Sequence, residues 1–553
     1  MKKKNAITAA LLAAVMLLSA CGAASSANMG TQSEVTEEPE TTGTEAVISD
    51  VVFSSDGTAD DDARVFYEIF VGSFADSNGD GIGDLRGIID RMDYLNDGDP
   101  QSGKSLGVEG LWLTPIFSSR SYHKYDVMDY YSIDESFGTM EDLQELIALC
   151  HERDVKIIID LPINHTSTGC EWFGNFVAAH RSGDTESLWY NWYSWAPSGS
   201  TPAGRSFSQI SGTSDYYECN FSGDMPELNF DSDDVYEAVL DIARFYLDMG
   251  IDGFRFDAAK YIYFGDNETS SAFWYYYLGE LREQYPDMYA VAEVWDSDGI
   301  TDCYYPAVNC FDFTCSGTEG LIAAAAKGGS VSTYTSYVEN YINRVTAMNS
   351  DALFVPFVSN HDQDRASGSL TVSSGSMQMA ANLYILGPGS PFIYYGEEIG
   401  IKGSRGSANT DANRRLAMLW GDGDTVADPT GTTYDPTKQT NGTVADQLGD
   451  STSLYNYYKR LIMIRKANPE IASGEYKALS FSGTSVGGFI STLDGSSVCV
   501  IHNTTDTAQT IDLSQATSSM FETVAASVGV GECGAELNGT VLTLSAQTSV
   551  VLR

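Results

Sequence analysis

Short apolar runs alternate with longer amphipathic stretches from residue 64 to about residue 467. The runs are rich in Val, Ile, Leu and Phe, which is typical of strands buried on both faces of a parallel sheet. Eight runs are predicted to be strands: 65–71, 108–113, 156–161, 253–257, 288–293, 310–313, 353–358 and 391–395. Eight strands that alternate with helices predict an α/β fold of the (β/α)8 TIM barrel type.

The amphipathic stretches carry signals for helix boundaries. Thr139 is a predicted N-cap, and the helix that follows it places Cys150 on its apolar face. A helix over 235–249 is predicted to end at Gly250, which is a natural C-terminal break. The last barrel helix is expected at about 452–467.

Two segments do not fit the barrel repeat. Residues 166–231 are too long for an ordinary loop after the third strand, so we predict an inserted subdomain there. Residues 470–553 alternate Thr, Val, Ser and Gly, which predicts a C-terminal antiparallel β-sandwich. The barrel itself is then expected to comprise residues 63–165 and 232–469.

The N-terminus has the pattern of an export signal. Lysines at positions 2–4 precede an apolar run over 7–18, which is too short to span a bilayer. The segment that ends at Cys21 resembles the bacterial lipobox, which implies removal of residues 1–20 as a lipoprotein signal peptide and lipidation of Cys21. Residues 21–62 then form a lipidated, flexible tether, because their composition buries too little apolar surface to fold. This pattern predicts a protein held at the extracellular face of the bacterial cytoplasmic membrane.

Composition narrows the range of partners. Asp and Glu number 76 against 31 Lys and Arg, which gives a formal net charge of −45 at pH 7. Such a charge repels nucleic acids and anionic membranes, so we expect no nucleic acid partner and no membrane contact apart from the lipid anchor. A neutral polysaccharide is unaffected by the charge and remains a possible substrate. The protein is expected to be a monomer.

An extracellular location allows disulfides to form. Cys170 could pair with Cys219, and Cys303 could pair with Cys310 or Cys315.

Three carboxylates follow the ends of predicted strands. Asp257 ends the run GFRFD, Glu293 ends AVAE, and Asp362 follows FVPFVSNH. Because the C-terminal ends of barrel strands meet at one rim, these side chains are expected to share a site. A carboxylic acid and a carboxylate that face each other across a sugar bond are the minimum equipment for glycoside hydrolysis. Arg255 lies on the same strand face as Asp257, where it can hold that carboxylate ionised.

Several motifs, in one order, resemble those of the α-amylase family, glycoside hydrolase family 13, over roughly residues 64–553. They are DLPINH at 160–165, MPELN at 225–229, GFRFDAAK at 253–260, Glu293, NHD at 360–362 and GSPFIYYGEEIG at 389–400. The resemblance implies a retaining hydrolase in which Asp257 is the nucleophile and Glu293 the acid–base group. Asp362 would fix the sugar hydroxyls and favour a distorted ring.

The same resemblance implies the residues that bind the sugars. Subsite −1 holds the sugar whose glycosidic bond is cleaved. His165 and His361 would donate hydrogen bonds to this sugar, and Tyr125 in SYHKYD would stack on it. Lys260 would contact a sugar beyond the cleavage point, and Arg415 the sugar in subsite −2. The predicted substrate-binding residues are Tyr125, His165, Arg255, Lys260, His361 and Arg415.

An oxygen-rich loop follows the first predicted strand. In DSNGDGIGD, residues 76–84, oxygens recur at alternating positions, as they do in calcium-binding loops. Gly87 stands where an EF-hand would carry a bidentate Glu, so the loop is not an EF-hand. It resembles the calcium loop that follows the first strand in part of the family. The implied Ca2+ ligands are Asp76, Asn78, Asp80, the Ile82 carbonyl and Asp84.

The resemblance also implies an activity. Ala258 follows the nucleophile, where α-1,6-specific relatives usually carry Val, and MPELN is closest to the group intermediate between oligo-1,6-glucosidases and neopullulanases. We therefore expect an endo-acting α-amylase that cleaves α-1,4-glucosidic bonds in starch and maltodextrins. The alternatives are an exo-acting α-glucosidase or a transglycosylase on maltooligosaccharides. A non-catalytic surface glycan-binding protein is a further alternative, which the presence of all three carboxylates disfavours.

Overall fold

A computed structural model describes residues 45–53 and 59–553 of the chain. Its strands are β1 Phe66–Ile69, β2 Gly110–Leu113, β3 Phe117–Ser119, β4 Val127–Ile133, β5 Lys156–Leu161, β6 Trp195–Ala196, β7 Phe207–Gln209, β8 Tyr216–Glu218, β9 Gly253–Phe256, β10 Tyr289–Ala292, β11 Asn309–Cys310, β12 Phe392–Tyr394, β13 Glu475–Ser480, β14 Gly487–Leu493, β15 Ser496–Asn503, β16 Gln509–Asp512, β17 Val524–Gly529, β18 Ala535–Asn538, β19 Val541–Leu544 and β20 Thr548–Leu552. Its α-helices are α1 Leu85–Asp90, α2 Met92–Leu95, α3 Met140–Glu152, α4 Glu171–Ser182, α5 Asp233–Met249, α6 Asn267–Gln284, α7 Asp298–Thr301, α8 Leu321–Ala326, α9 Val331–Thr346, α10 Ser376–Ile385, α11 Val444–Leu448, α12 Leu454–Ala467 and α13 Glu470–Ser473.

Parallel strands form the central barrel in the order β11-β10-β9-β5-β2-β1-β12. The predicted strand at 353–358 is not continuous. It makes single parallel bridges, from Val355 to Phe311 and from Phe357 to Phe392, and these close the gap between the two edge strands. Pro356 lies between the two bridging residues and has no N–H to donate, which accounts for the broken ladder. The TIM barrel prediction is confirmed, with an irregular seventh strand.

The interior of the barrel contains an apolar cluster and, beside it, charged side chains that also point inward. Inward-facing residues from most strands pack as one cluster: Phe66, Trp112, Ile158, Tyr289, Val291, Phe311, Val355, Phe357 and Phe392. In register with that cluster, Arg255 pairs with Val291 and with Asp160, and Glu68 pairs with Trp112. Residues paired in a parallel ladder point to the same face of the sheet, so these three charged side chains also point inward.

The helices cover the outside of the barrel and begin and end largely as predicted. The Thr139 side chain accepts from the N–H of Asp142 in a capping box at the start of α3. Helix α5 ends at Gly250, which has φ 110°. A residue without Cβ adopts this conformation at little cost, which explains the stop.

The two segments outside the barrel repeat form sheets of their own. Strands β6, β8 and β7 make a small antiparallel sheet within the predicted insertion at 166–231. In the predicted C-terminal region, 470–553, a five-stranded sheet and a three-stranded sheet enclose an apolar cluster that includes Phe481, Ile501 and Leu542. The C-terminal sheets are docked on the barrel through bonds such as that from Oγ of Ser332 to the carbonyl of Val486.

Residues 45–53, which we call the N-terminal strap, lie against the barrel. The N–H of Ala46 donates to the carbonyl of Leu448, and Nζ of Lys459 donates to the carbonyl of Ala46. Arg460 binds both carboxylate oxygens of Asp50 at 2.7 and 2.8 Å. The sequence predicted a flexible tether through residue 62, so at least this part of it is held in place by α12 and its neighbours.

The remaining N-terminal predictions concern residues that the structure does not describe. The signal peptide at 1–20, the lipidation site Cys21 and tether residues 22–44 and 54–58 lie outside the described residues. Among the helices within residues 45–53 and 59–553, none is long and apolar enough to cross a membrane.

The cysteines of the described chain are free thiols. Cys150 is buried on α3, as its position on the apolar face predicted. The possible partners Cys170 and Cys219 are both buried and unbridged, as are Cys310 and Cys315. Cys303 is an exposed free thiol.

Candidate active site

The three predicted catalytic carboxylates meet in one cavity at the C-terminal rim of the barrel. Asp257 directly follows β9, Glu293 directly follows β10, and Asp362 follows the irregular seventh strand. All three line an open cavity of about 780 Å³. This volume is in the range of sites that bind small molecules or segments of polymers.

One guanidinium connects Asp257 with Glu293. Nη1 of Arg255 donates to Oδ1 of Asp257 at 2.7 Å and to the two oxygens of Asp160 at 2.8 and 2.9 Å, while Nη2 donates to Oε2 of Glu293 at 2.8 Å. Arg255 is 1% exposed, so these charge-assisted bonds act in a medium of low dielectric. Within the described part of the chain, Oδ2 of Asp257 accepts no hydrogen bond. That oxygen is therefore free to attack an electrophilic carbon.

The surroundings of Glu293 favour the protonated form of its carboxyl. Burial raises the pKa of Glu293 above its ordinary value, although the positive charge of Arg255 opposes the shift. A raised pKa keeps the group protonated at a pH at which an exposed Glu is ionised, and a general acid requires this. Oε2 of Glu293 also accepts from the N–H of Ala258 at 3.2 Å. Ala258 has φ 49°, a conformation that is uncommon for a residue with a Cβ and that recurs at functional sites.

Asp362 lies between two cations. Nη2 of Arg415 donates to its Oδ1 at 2.7 Å, and Nε2 of His361 is 3.2 Å from its Oδ2. Burial alone would raise the pKa of Asp362, but the charges of His361 and Arg415 hold it well below its usual range. Burial alone would likewise lower the pKa of His361, but Asp362 and Glu68 raise it to about 10. Asp362 is therefore an ionised acceptor, suited to sugar hydroxyls.

Tyr125 and His165 supply an aromatic surface and a vacant donor or acceptor atom beside these carboxylates. The Tyr125 hydroxyl donates to Oδ2 of Asp160 at 2.9 Å, and its ring stacks on that of His361 at an interplanar angle of 15°. Burial lowers the pKa of His165 to about 4, so its ring is neutral near pH 7. Nε2 of His165 is buried and has no partner among residues 45–53 and 59–553. A sugar hydroxyl that bonded this nitrogen would relieve the cost of leaving it unpaired.

The rim next to Glu293 carries Lys260 and an aromatic pair. Nζ of Lys260 donates to the carbonyl of Trp295 at 2.7 Å and lies 3.0 Å from Oδ2 of Asp296. The Trp295 ring lies flat on Phe313, with centroids 4.7 Å apart, and it is 46% exposed. Lys260 therefore lines the cavity beside Glu293, and its contact with a sugar beyond the cleavage point stays a prediction.

Among the residues of the site that are absent from the predicted set, three bond its charged side chains. Glu68 is 1% exposed and binds Nδ1 of His361 at 2.5 Å, Asp160 binds Arg255, and the Tyr122 hydroxyl accepts from Arg415 at 3.2 Å. Glu68 had a signal in the sequence, because a carboxylate inside an apolar strand needs a buried partner. Tyr122 lies in the SYHKYD segment that was quoted only for Tyr125, whereas cavity-lining loop residues such as Asn409 and Thr410 had no such signal.

The predicted calcium loop leaves the barrel after β1. Oδ1 of Asp76 accepts from the N–H of Gly79 at 2.7 Å, and Oδ2 accepts from the N–H of Gly81 at 2.7 Å. The side chains of Asn78 and Asp80 accept from the backbone N–H two residues later, as in a chain of Asx turns. The N–H of Ile82 donates to Oδ1 of Asp80, and this is the last bond in the chain of Asx turns.

Asp84 closes the loop and caps α1. Its Oδ1 accepts from the N–H of Gly87 at 2.6 Å, and burial raises its pKa, with a further contribution from the charge of Asp76. Calcium prefers oxygen donors such as those of the loop. A bound cation would also relieve the repulsion between the carboxylates of Asp76 and Asp84, so the donor set fits calcium chemically. Among residues 45–53 and 59–553, however, no three His, Cys, Asp or Glu side chains are arranged to hold a metal ion.

Comparisons with known proteins identify relatives of this chain. The family model described as "Alpha amylase, catalytic domain" matches residues 68–474. The chain is 35% identical over 443 residues to "Alpha-amylase 3" of Dictyoglomus thermophilum, a match that covers 79% of this chain and 84% of the relative. It is 29% identical over 524 residues to an "Oligo-1,6-glucosidase" of Bacillus cereus, with 80% and 90% covered. Among solved structures, "Eubacterium rectale Amy13B" superposes with a TM-score of 0.81 at 31% identity and covers 90% of this chain and 96% of its own.

Proposed function

We propose that this chain, which belongs to the α-amylase family of glycoside hydrolases, is an endo-acting α-amylase that cleaves α-1,4-glucosidic bonds in starch and maltodextrins. The observation that carries the proposal is the bonding of Asp257 and Glu293 to the two terminal nitrogens of Arg255 in an open cavity. This bonding keeps the two carboxyls close together. Retaining glycosidases need a separation of roughly 5–5.5 Å, whereas inverting ones need roughly 6.5–9.5 Å.

The reaction would proceed in two steps. Oδ2 of Asp257 forms a bond to the anomeric carbon while the bond to the leaving oxygen breaks, and Glu293 gives its proton to that oxygen. Water then attacks the glycosyl ester on Asp257, and its proton passes to the Glu293 carboxylate, which restores both groups. Asp362 accepts hydrogen bonds from sugar hydroxyls and favours the distorted ring. Two inversions at one carbon leave the product in the α configuration.

The product pattern tests the endo mode of action. Amylose incubated with the enzyme should yield a ladder of oligosaccharides in the first few per cent of the reaction, because an open cavity accepts the interior of a chain as well as its end. Chromatography of timed samples resolves the ladder, and the Asp257→Asn variant is the matched control. Early release of glucose or maltose alone would favour the exo-acting alternative. Products longer than a maltooligosaccharide substrate would favour a transglycosylase.

Calcium at the loop 76–84 is a further part of the proposal, and its role would be structural. It is supported by the five predicted oxygen ligands and by the burial and repulsion that raise the pKa of Asp84. None of these ligands is within hydrogen-bonding distance of the catalytic carboxylates Asp257, Glu293 or Asp362 in the described chain. Bound calcium would supply charge neutralisation that fixes the turn between β1 and α1.

Removal of calcium is expected to lower the melting temperature. A ligand that binds only the folded state stabilises it by about 2.7 kcal/mol at 100 times its Kd, so EDTA should lower Tm by a few degrees. Asp76→Asn should abolish this difference between calcium and EDTA. Asp450→Asn, which changes an exposed carboxylate in another Asx turn, should preserve it. Identical melting curves of the wild type in calcium and EDTA would remove the metal from the proposal.

We also propose that the protein is a lipoprotein at the outer face of the cytoplasmic membrane. The support is the sequence pattern that ends at Cys21, since two acyl chains suffice for stable attachment where one does not. In its host, the wild type should sediment with membranes and Cys21→Ala should be released or remain unprocessed. Recovery of the wild type wholly in the medium, with an N-terminus that follows Ala20 and carries no lipid, would contradict this location.

A further inference from the structure

The loop between β3 and β4 brings side chains into the cavity from an unusual backbone conformation. Tyr122, His123 and Tyr125 line the cavity, and Lys124 lies between them in sequence. Lys124 has φ 64°, in the left-handed region. A residue with a Cβ is disfavoured in that region, so contacts with the surroundings must hold Lys124 in this conformation.

Lys124 is held by a buried ion pair. Its Nζ lies 2.9 Å from Oδ2 of Asp134, and the two residues are 8% and 5% exposed. The ammonium also lies 5.1 Å from the ring centroid of Phe137, and the Lys124 N–H donates to Oγ of Ser121 at 3.1 Å. Removal of either charge would leave the other buried without its partner.

Asp134 connects this lysine with the base of the hairpin. Its Oδ2 also accepts from the N–H of Ser119, at the end of β3, and its Oδ1 accepts from Ser136. Asp134 itself directly follows β4. One carboxylate therefore ties the tip of the loop to both strands that carry it.

The residue that follows Lys124 is the aromatic side chain next to the catalytic carboxylates. The Tyr125 hydroxyl contacts Asp160 and lies 2.7 Å from Nε2 of His361, and its ring centroid lies 5.9 Å from the guanidinium carbon of Arg255. The direction of the Tyr125 side chain depends on the backbone at position 124. Lys124 itself is not among the residues that line the cavity.

We propose that the Lys124–Asp134 ion pair is a positioning device for catalysis, which holds residue 124 in the left-handed conformation and so fixes the Tyr125 ring against the sugar in subsite −1. The inference rests on the proposed function, because it takes the Tyr125 ring to contact that sugar. Glycine at position 124 would adopt the same φ without strain, but it would also let the loop adopt others. The ion pair replaces that freedom with a single conformation.

A kinetic comparison of Lys124 variants tests the device. Lys124→Ala should lower kcat on an aryl maltotrioside by about tenfold with KM changed less than about twofold, because small displacements of aligned groups act on the transition state. Lys124→Arg, which restores a cation opposite Asp134, should recover most of the loss. Lys124→Gly should lose as much kcat as Lys124→Ala while melting at a temperature closer to that of the wild type, because it has no strain at φ 64°.

A double-mutant cycle with Tyr125 separates positioning from simple stabilisation. In a Tyr125→Ala background, Lys124→Ala should lower kcat by less than about a further twofold, because the ring that Lys124 positions is already gone. An equal cost in both backgrounds, a wild-type kcat in Lys124→Gly, or loss of activity in proportion to loss of Tm would each overturn the proposal. Failure of the proposed function would look different, since it would appear in the wild type itself, as exo products, as transfer products or as no cleavage of α-1,4 bonds.

Discussion

Asp257→Asn and Glu293→Gln are each expected to lower kcat on amylose by at least about 10³-fold while the protein stays folded, in keeping with groups that act as one unit. Asparagine keeps the shape of Asp257 but cannot form the glycosyl ester. Glutamine keeps the shape of Glu293 but has no proton to give to the leaving oxygen. Both amides can still accept a hydrogen bond from Arg255. A variant that kept more than about a tenth of kcat, a barrier change below ~1.4 kcal/mol, would reject the role of that residue.

A substrate with an acidic leaving group distinguishes the two roles. An aryl maltoside whose leaving group needs no proton should give a burst of phenol with Glu293→Gln, because the first step survives and the second is slow. Asp257→Asn should give no burst. NMR of the first product of the wild type should show the α anomer, and a β anomer would exclude the retaining mechanism.

Arg255→Lys is expected to lower kcat by on the order of 10²-fold and also to lower the melting temperature. Arg255 bonds three carboxylates at once, through two nitrogens in one plane, at distances of 2.7 to 2.9 Å. An ammonium is a point charge on a flexible stem, so it cannot hold Asp160, Asp257 and Glu293 in the same relative positions. The carboxylate that loses its bond remains buried, which costs folding free energy.

The matched control is Arg344→Lys on α9. Arg344 also contacts two carboxylates, Asp298 and Asp302, but it is partly exposed and lies outside the cavity. This variant should keep wild-type kcat and lose less Tm than Arg255→Lys, since partly exposed ion pairs contribute less than fully buried ones. If Arg255→Lys behaved like Arg344→Lys in both measurements, the guanidinium network would have no role in catalysis or stability.

The barrel and the rim carboxylates were predictable because both follow from periodicity. Apolar runs fix which segments become inner strands, and a carboxylate at the end of such a run must lie at the common rim. Asp257 and Glu293 both follow this pattern, and the structure brings them onto one arginine. The family resemblance added His165 and Arg415, whose spacing along the chain carries no such signal.

The features that the sequence did not predict depend on contacts between distant segments. Glu68 is placed by strand register beside His361, and periodicity does not report register between strands far apart in the chain. The N-terminal strap has the composition of a disordered segment, yet the barrel surface satisfies its backbone and its Asp50. The seventh strand is broken at Pro356, and the broken ladder shows only when both of its neighbours are known.

The strap has a consequence for the order in which the chain can fold. Asp50 and its partner Arg460 are 410 residues apart, and β1 must find β12 before the barrel closes. Contacts of such sequence separation form late, because the loop they close has to be ordered first. A chain that is synthesised from its N-terminus therefore has the edge of β1 unpaired until β12 is made, and the strap unpaired until α12 is complete. Until β12 is made, the unpaired edge of β1 is open to aggregation, and a chain truncated before β12 should remain in that state.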